Sequence, residues 1–332
     1  MEIAFLIIIF ISFFCTYLIL PSWIKKAHLN GLTGRDMHKT DKRKLAEGGG
    51  LSVLTGVSLG ILLYVALNVF YFNDDGKLIY IFALLSVLLI SSIVGMVDDL
   101  LGWKKGLSKK IRIIIILFAA VPLMVINAGN STMNILFFGP VNFGILYPLL
   151  IIPIGILGAT TTFNFLAGYN GLEASQGIII LSALAIVTYL TGNAWLSLIA
   201  LFMVASLIAF YIFNTFPARV FPGDILTYSV GALIASIAIL GNIEKIAIFF
   251  FIPYMIETGL KLRGKLVKES FAKMNRDGSL ELPYKKIYGL EHLAILILKK
   301  YKPSKKVYEK EVVYLINGFQ ILIVILGFLV IL

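Results

Sequence analysis

Apolar runs of close to 20 residues recur ten times along this sequence, at about 3–24, 48–69, 79–98, 110–127, 144–164, 174–191, 193–214, 223–241, 244–265 and 312–332. A helix of that length crosses a hydrocarbon core of roughly 30 Å, and lipid accepts helices because they satisfy their own backbone groups. The chain is 59% hydrophobic and 14% charged, with a mean hydropathy of +0.94. Soluble domains carry about 25% charged residues. The expected fold class is all-α: one integral-membrane domain over 1–332 with about ten transmembrane helices. The first run begins beside Glu2, not a basic segment, and lacks a small-residue cleavage site, so it reads as a membrane helix and not a leader. The single cysteine, Cys15, lies in that run, which excludes an intrachain disulfide or a cysteine metal site; it reads as lipid-facing.

Charge sets the expected orientation. With both termini outside, the inner loops are 25–47, 98–112, 165–173, 214–223 and the long 261–312 loop. They hold 27 of the 29 Lys and Arg residues, leaving only Lys77 and Lys245 outside. Basic residues accumulate on the cytoplasmic side, so this asymmetry places those loops in the cytoplasm. The net charge of +11 therefore belongs to one face, where it meets lipid headgroups or a phosphorylated substrate. No nucleic-acid-binding fold or separate basic domain accompanies it.

Acidic residues are scarcer, and Glu47, Asp98, Asp99, Glu173, Asp224 and Glu257 sit at helix ends on that inner face. A transporter would place ionisable groups near mid-span. The nearly charge-free runs instead favour chemistry at the interface. Asp98 and Asp99 end the third run in "VDDLLGWKKGLSKKIR", facing the negative end of a helix dipole and repelling each other. With Lys109, Lys110 and Arg112 following, they suit a metal-phosphate substrate. In "TTTFNFLAGYNGLEASQG", Asn164 needs polar partners among apolar neighbours, and its oxygen is a hard ligand suited to Mg²⁺. In "FPARVFPGD", Asp224 opens the eighth run as a helix cap or a second Mg²⁺ ligand, and Phe221 offers a ring for a base to stack on. "GRDMHKTDKRKLAEGGG" supplies Asp36, Lys39 and Glu47, and its glycines lack the strand and Gly-Lys-Ser/Thr of a P-loop. His28, His38 and His292 lack metal-ligand spacing and read as loop or interfacial residues. "MNRDGSLELPY" is expected to form a hairpin ahead of an interfacial helix, "GLEHLAILILKKYK".

Together these segments resemble the polyprenyl-phosphate N-acetylhexosamine-1-phosphate transferase superfamily over nearly the whole chain. "NFLAGYNGLEA" and "PARVFPGD" are most similar to the eukaryotic and archaeal enzymes that make dolichyl-diphosphate-N-acetylglucosamine, the start of N-glycan assembly. The resemblance implies transfer of a sugar-1-phosphate from a UDP-sugar to a polyprenyl or dolichyl phosphate, with Mg²⁺ or Mn²⁺ as cofactor. It implies that Asn164 and Asp224 ligand the metal, that Lys110 contacts substrate phosphates, and that Asp98 and Asp99 lie by the attacking lipid phosphate. Gly168 and Phe221 would sandwich the uracil, Asn170 and the backbone near Met37 would bind its edge, and Glu47 would hold the ribose. Lys39 and Arg219 match motif positions without an assigned role. A homodimer through apolar helices is a further expectation. The Arg-His-Arg cluster of the eukaryotic enzymes falls near Lys268, Glu269 and Ser270, which do not reproduce it, and the consecutive histidines of the bacterial cell-wall enzymes are absent. The rival readings are a transporter or flippase of lipid-linked sugars and an inactive UDP-sugar or lipid-binding scaffold.

Overall fold

The computed structural model describes residues 2–39, 43–102, 106–135 and 139–331. Lys42, Lys104 and Lys105, counted above among the inner-face cations, lie outside the described residues. The chain opens with α1 (Glu2–Leu29), a hairpin of β1 (Thr33–Arg35) and β2 (Lys44–Ala46), and α2 (Gly50–Leu67), which a π turn prolongs to Phe72. There follow α3 (Leu78–Leu101), α4 (Lys109–Ala119), α5 (Val121–Val125), and a hairpin of β3 (Thr132–Ile135) and β4 (Gly139–Asn142). A π turn over Tyr147–Ile151 leads into α6 (Ile152–Phe163), then α7 (Leu172–Leu190), α8 (Ala194–Asn214), α9 (Gly223–Gly241), α10 (Glu244–Phe250) and α11 (Ile252–Arg263). The last elements are a hairpin of β5 (Lys273–Met274) and β6 (Leu280–Glu281), then α12 (Leu290–Tyr301) and α13 (Glu309–Ile331).

All ten apolar runs are helical, but not all are single helices. Among the described residues seven helices are long and apolar enough to cross a membrane: α1, α2 with its extension, α3, α7, α8, α9 and α13. The other three runs break at prolines, which remove a donor and clash with the preceding turn. Pro122 separates α4 from α5, Pro148 and Pro153 mark the π-to-α change before α6, and Pro253 begins α11 after the break at Phe251.

The centre of the bundle is α9. Every residue from Ile225 to Gly241 is buried, so this helix is apolar on all sides and packs on all sides. Close approach comes from glycines on its neighbours. A Cβ on Gly95 of α3 would strike the Asp224 backbone, and one on Gly50 of α2 would meet the Leu226 amide nitrogen at 2.6 Å. Gly231 of α9 lies equally close to α6, 2.6 Å from the Ala159 carbonyl oxygen by the same measure.

The fold is mostly helical, as expected, and among the described residues it adds three small antiparallel hairpins, β1–β2, β3–β4 and β5–β6. Strands of two to four residues are too short to show alternation in the sequence. The hairpin expected in "MNRDGSLELPY" is present, pairing Lys273 with Glu281 and Met274 with Leu280. The following helix α12 buries Leu290, Ala294 and Ile295 and carries Lys299 and Lys300 in its last turn. His28 is exposed, as expected of a loop or interfacial residue, but His38 and His292 are buried. His292 Nδ1 accepts from the Tyr288 amide at 3.4 Å. Burial, helped by the Lys261 charge, holds its imidazole down to about 4, and the neutral ring fits an interior position.

Candidate active site

A cleft of about 920 Å³ opens where the end of α3, the starts of α4, α7 and α9, the end of α6 and the β1–β2 hairpin meet. Backbone hydrogen bonds fix one wall. Phe221 N donates to Ala46 O at 2.8 Å, Gly49 N to Phe221 O at 3.0 Å and Gly50 N to Pro222 O at 2.9 Å, so Glu47 and Phe221 are held side by side. Trp23 Nε1 donates to Glu47 O at 2.9 Å, tying that wall to α1. Burial pushes the Glu47 carboxyl above its usual range.

The acidic end is built from α3 and α9. Asp99 Oδ1 accepts from the Asp224 amide at 2.7 Å and Oδ2 from the Ile225 amide at 3.2 Å, so Asp99 caps α9 from another helix. The N-cap residue itself, Pro222, has no capping side chain, and Asp224 does not cap as its position suggests. The expected repulsion of Asp98 and Asp99 is relieved in two directions. Asp99 faces the positive end of α9, while Asp98 accepts from Leu107 N at 2.7 Å and from Arg112 Nη2 at 2.5 Å. Gly223 makes the arrangement possible: its φ is +71°, and a Cβ there would run into the Asp99 carboxylate.

With its structural task taken by Asp99, the Asp224 carboxylate is free to face the cleft. It lies within hydrogen-bond reach of Asp98 and 3.9 Å from Arg112 Nη1. Asn164, at the C-cap of α6, also lines the cleft and is hydrogen-bonded to Tyr228, one turn beyond Asp224. Two neighbouring carboxylates beside a carboxamide and one guanidinium form a set of hard oxygen donors short of positive charge, which suits Mg²⁺.

Of the twelve residues to which the resemblance points, eight line this cleft: Met37, Glu47, Asp98, Asp99, Asn164, Gly168, Phe221 and Asp224. Four do not. Lys110 is exposed on the outer side of α4, while Lys109 and Arg112 of the same helix line the cleft. Lys109 Nζ reaches the Leu266 carbonyl at 3.4 Å, and Arg112 Nε is buried without a partner. Lys39 is paired with Glu309 at 2.9 Å. Asn170 is buried, its amide group donating to Asp36 Oδ2 at 3.1 Å. Arg219 is exposed, 6.0 Å from the Phe213 ring centre. The 268–270 segment, where the Arg-His-Arg cluster would fall, contributes no lining group, but the next residue, Phe271, does, and its ring lies 2.9 Å from a Cβ built on Gly168. Thr227, which was not singled out in the sequence, and Glu173, named there only as an inner-face acid, also line the cleft. Glu173 Oε1 accepts from the Gly168 amide at 2.8 Å, a contact that the spacing in "GYNGLEA" would suggest once a turn is assumed.

Comparison with known proteins agrees with the geometry. The profile of glycosyl transferase family 4 matches residues 78–242. A Saccharolobus solfataricus protein provisionally named UDP-N-acetylglucosamine–dolichyl-phosphate N-acetylglucosaminephosphotransferase is 34% identical over 327 residues, covering 98% of this chain and 96% of its own length. A Sulfolobus acidocaldarius protein of the same provisional name is 32% identical, with 95% and 92% covered. The phospho-N-acetylmuramoyl-pentapeptide-transferase of Streptococcus agalactiae is 31% identical over 75% of this chain and 76% of its own. Near-complete overlap with these relatives, together with the convergence of Asp98, Asp99, Asn164 and Asp224 on one cleft, makes this integral membrane protein a member of glycosyl transferase family 4, within the polyprenyl-phosphate hexosamine-1-phosphate transferase superfamily.

Proposed function

We propose that the protein transfers N-acetylglucosamine-1-phosphate from UDP-N-acetylglucosamine to a dolichyl or related polyprenyl phosphate, releasing UMP, as the first membrane step of N-glycan assembly. The observation that carries this reading is the meeting of Asp98, Asp224, Asn164 and Arg112 in a cleft at the ends of apolar helices, where a water-soluble phosphate donor and a lipid phosphate can meet. The relatives' names supply the substrate class. Ten membrane crossings, seven by long helices and three by broken ones, with the cleft on the cytoplasmic side, fit the placement of 27 of the 29 basic residues. Every helix end that lines the cleft then falls on that side.

In this reading an oxygen of the lipid phosphate attacks the β-phosphorus, the bond to the UMP oxygen breaks, and a lipid diphosphate-sugar remains. Asn164 and Asp224 would hold Mg²⁺ or Mn²⁺, which when bound would supply positive charge to the diphosphate and the leaving group. Arg112 stands where charge develops on the transferring phosphoryl oxygens, with Lys109 beside it. A phosphate monoester with a second pKa near 6 is largely dianionic at pH 7, so Asp98 need not take a proton; held by Arg112 and Leu107, it orients the guanidinium. Glu47 accepts from the ribose, and Phe221 stacks on the base. Purified Asp224→Asn and Asn164→Ala variants are expected to keep the wild-type thermal midpoint and lose transfer by about 10²-fold or more. Wild-type turnover by Asp224→Asn would remove the metal assignment.

A further inference from the structure

Behind the cleft lies a buried polar cluster that the transfer step does not use. Asp36, His38 and Glu309 each bring one ligand atom within 4.8 Å of the others, the composition of a small metal site. Its atoms, however, are already engaged. Asp36 Oδ1 accepts from the His38 amide and Oδ2 from Asn170 Nδ2, both at 3.1 Å. Glu309 Oε1 accepts from the Asn170 amide at 2.8 Å and Oε2 from Lys39 Nζ at 2.9 Å. His38 Nε2 accepts from the Ala272 amide at 3.2 Å, which leaves the ring proton on Nδ1, 3.7 Å from Glu309 Oε1. A cation here would have to displace an ammonium group and several N–H donors. The cluster is a hydrogen-bond hub.

Three segments meet at this hub, 36–39, 168–170 and 271–272, and each reaches the cleft wall, through Asp36 and Met37, Gly168, and Phe271. The His38 ring packs against Tyr169 at 4.4 Å and Phe271 at 5.8 Å between centroids, so the same side chain touches two of the three. Glu309 arrives from the start of α13, 139 residues beyond Asn170. We propose that His38 and Glu309 are positioning residues for the nucleotide base: Glu309 locks the 36–39 and 168–170 segments together, His38 locks the 271–272 segment onto them, and the pair thereby sets the slot beside Gly168. The inference rests on the UDP-sugar reading and adds to it a role for α13.

The test compares Glu309→Gln, His38→Phe and His38→Gln in the full-length protein in detergent, reading UMP affinity, KM for UDP-N-acetylglucosamine, KM for dolichyl phosphate, kcat and thermal midpoint. Gln at 309 sets an amide donor against the Lys39 ammonium or the Asn170 amide. Phe at 38 keeps the ring contacts but loses the acceptor for Ala272, which Gln restores. We expect Glu309→Gln and His38→Phe to weaken UMP binding and raise the UDP-sugar KM about tenfold, with kcat and the dolichyl phosphate KM within about twofold. His38→Gln should recover part of the loss. Unchanged UMP binding in both variants, a parallel rise in both KM values with a fall in the thermal midpoint, or failure of all three variants to fold would make the hub purely structural and overturn the proposal. A wild-type protein that binds no UMP would instead overturn the UDP-sugar reading, and this assignment with it.

Discussion

The carboxylate of Asp99 accepts from the Asp224 and Ile225 amides, work that an N-cap side chain would do from the position Pro222 occupies. That division of labour leaves Asp224 available, and it was not readable from the sequence, where an Asp at a helix start looks like its own cap. The same holds for α4. "KKIR" offers three cations, and only the helical phase decides that Lys109 and Arg112 line the cleft while Lys110 points away. Arg112→Ala is therefore expected to lower kcat by about 10²-fold, and Lys110→Ala to stay within a few-fold of wild type. Matched steady-state assays at saturating UDP-sugar decide between them; the reverse order would return the phosphate contact to Lys110. Glu47, Asn164, Gly168, Phe221 and Asp224, which line the cleft, stand in the short motifs that carry the family resemblance. Glu309 and His38 carried no such signal, since their partners lie in three distant segments.

At the scale of elements, hydropathy located every helix but not its continuity. The three runs that break do so at Pro122, Pro148 with Pro153, and Pro253, and an apolar window averages over such residues. The β1–β2 hairpin matters most among the unpredicted elements. Its second strand reaches Val220 through a parallel bridge at Ala46, which brings Glu47 to Phe221. The junction of α3 with α9 is the other decisive element, and Gly223 is its weak point. Gly223→Ala forces a side chain into the left-handed region and into Asp99, and is expected to cost roughly 1–3 kcal/mol and to abolish transfer. Asp99→Ala removes the cap without the clash and should cost about 1 kcal/mol, with Asp99→Asn milder. Thermal unfolding in detergent ranks the three; a Gly223→Ala protein as stable and active as wild type would contradict the junction described here.

On the scale of the whole molecule, the proposed ten-crossing topology would bring every cleft-lining helix end to one face. The proposed orientation rests on charge alone and is directly testable. In a Cys15→Ala background, a membrane-impermeant maleimide should label Asp75→Cys on intact cells and Ser304→Cys only after permeabilisation, since both positions are exposed and lie on opposite faces in this topology. The reverse pattern would put the cleft outside. The most direct test of the central claim is the reaction itself: purified protein, UDP-N-acetylglucosamine labelled in the sugar, and dolichyl phosphate in detergent, with Mg²⁺ and again with EDTA. The account predicts a labelled lipid diphosphate-sugar and an equal amount of UMP with Mg²⁺, and neither with EDTA. Absence of any lipid product across a panel of UDP-sugars and polyprenyl phosphates, from protein that is folded and binds UMP, would contradict it.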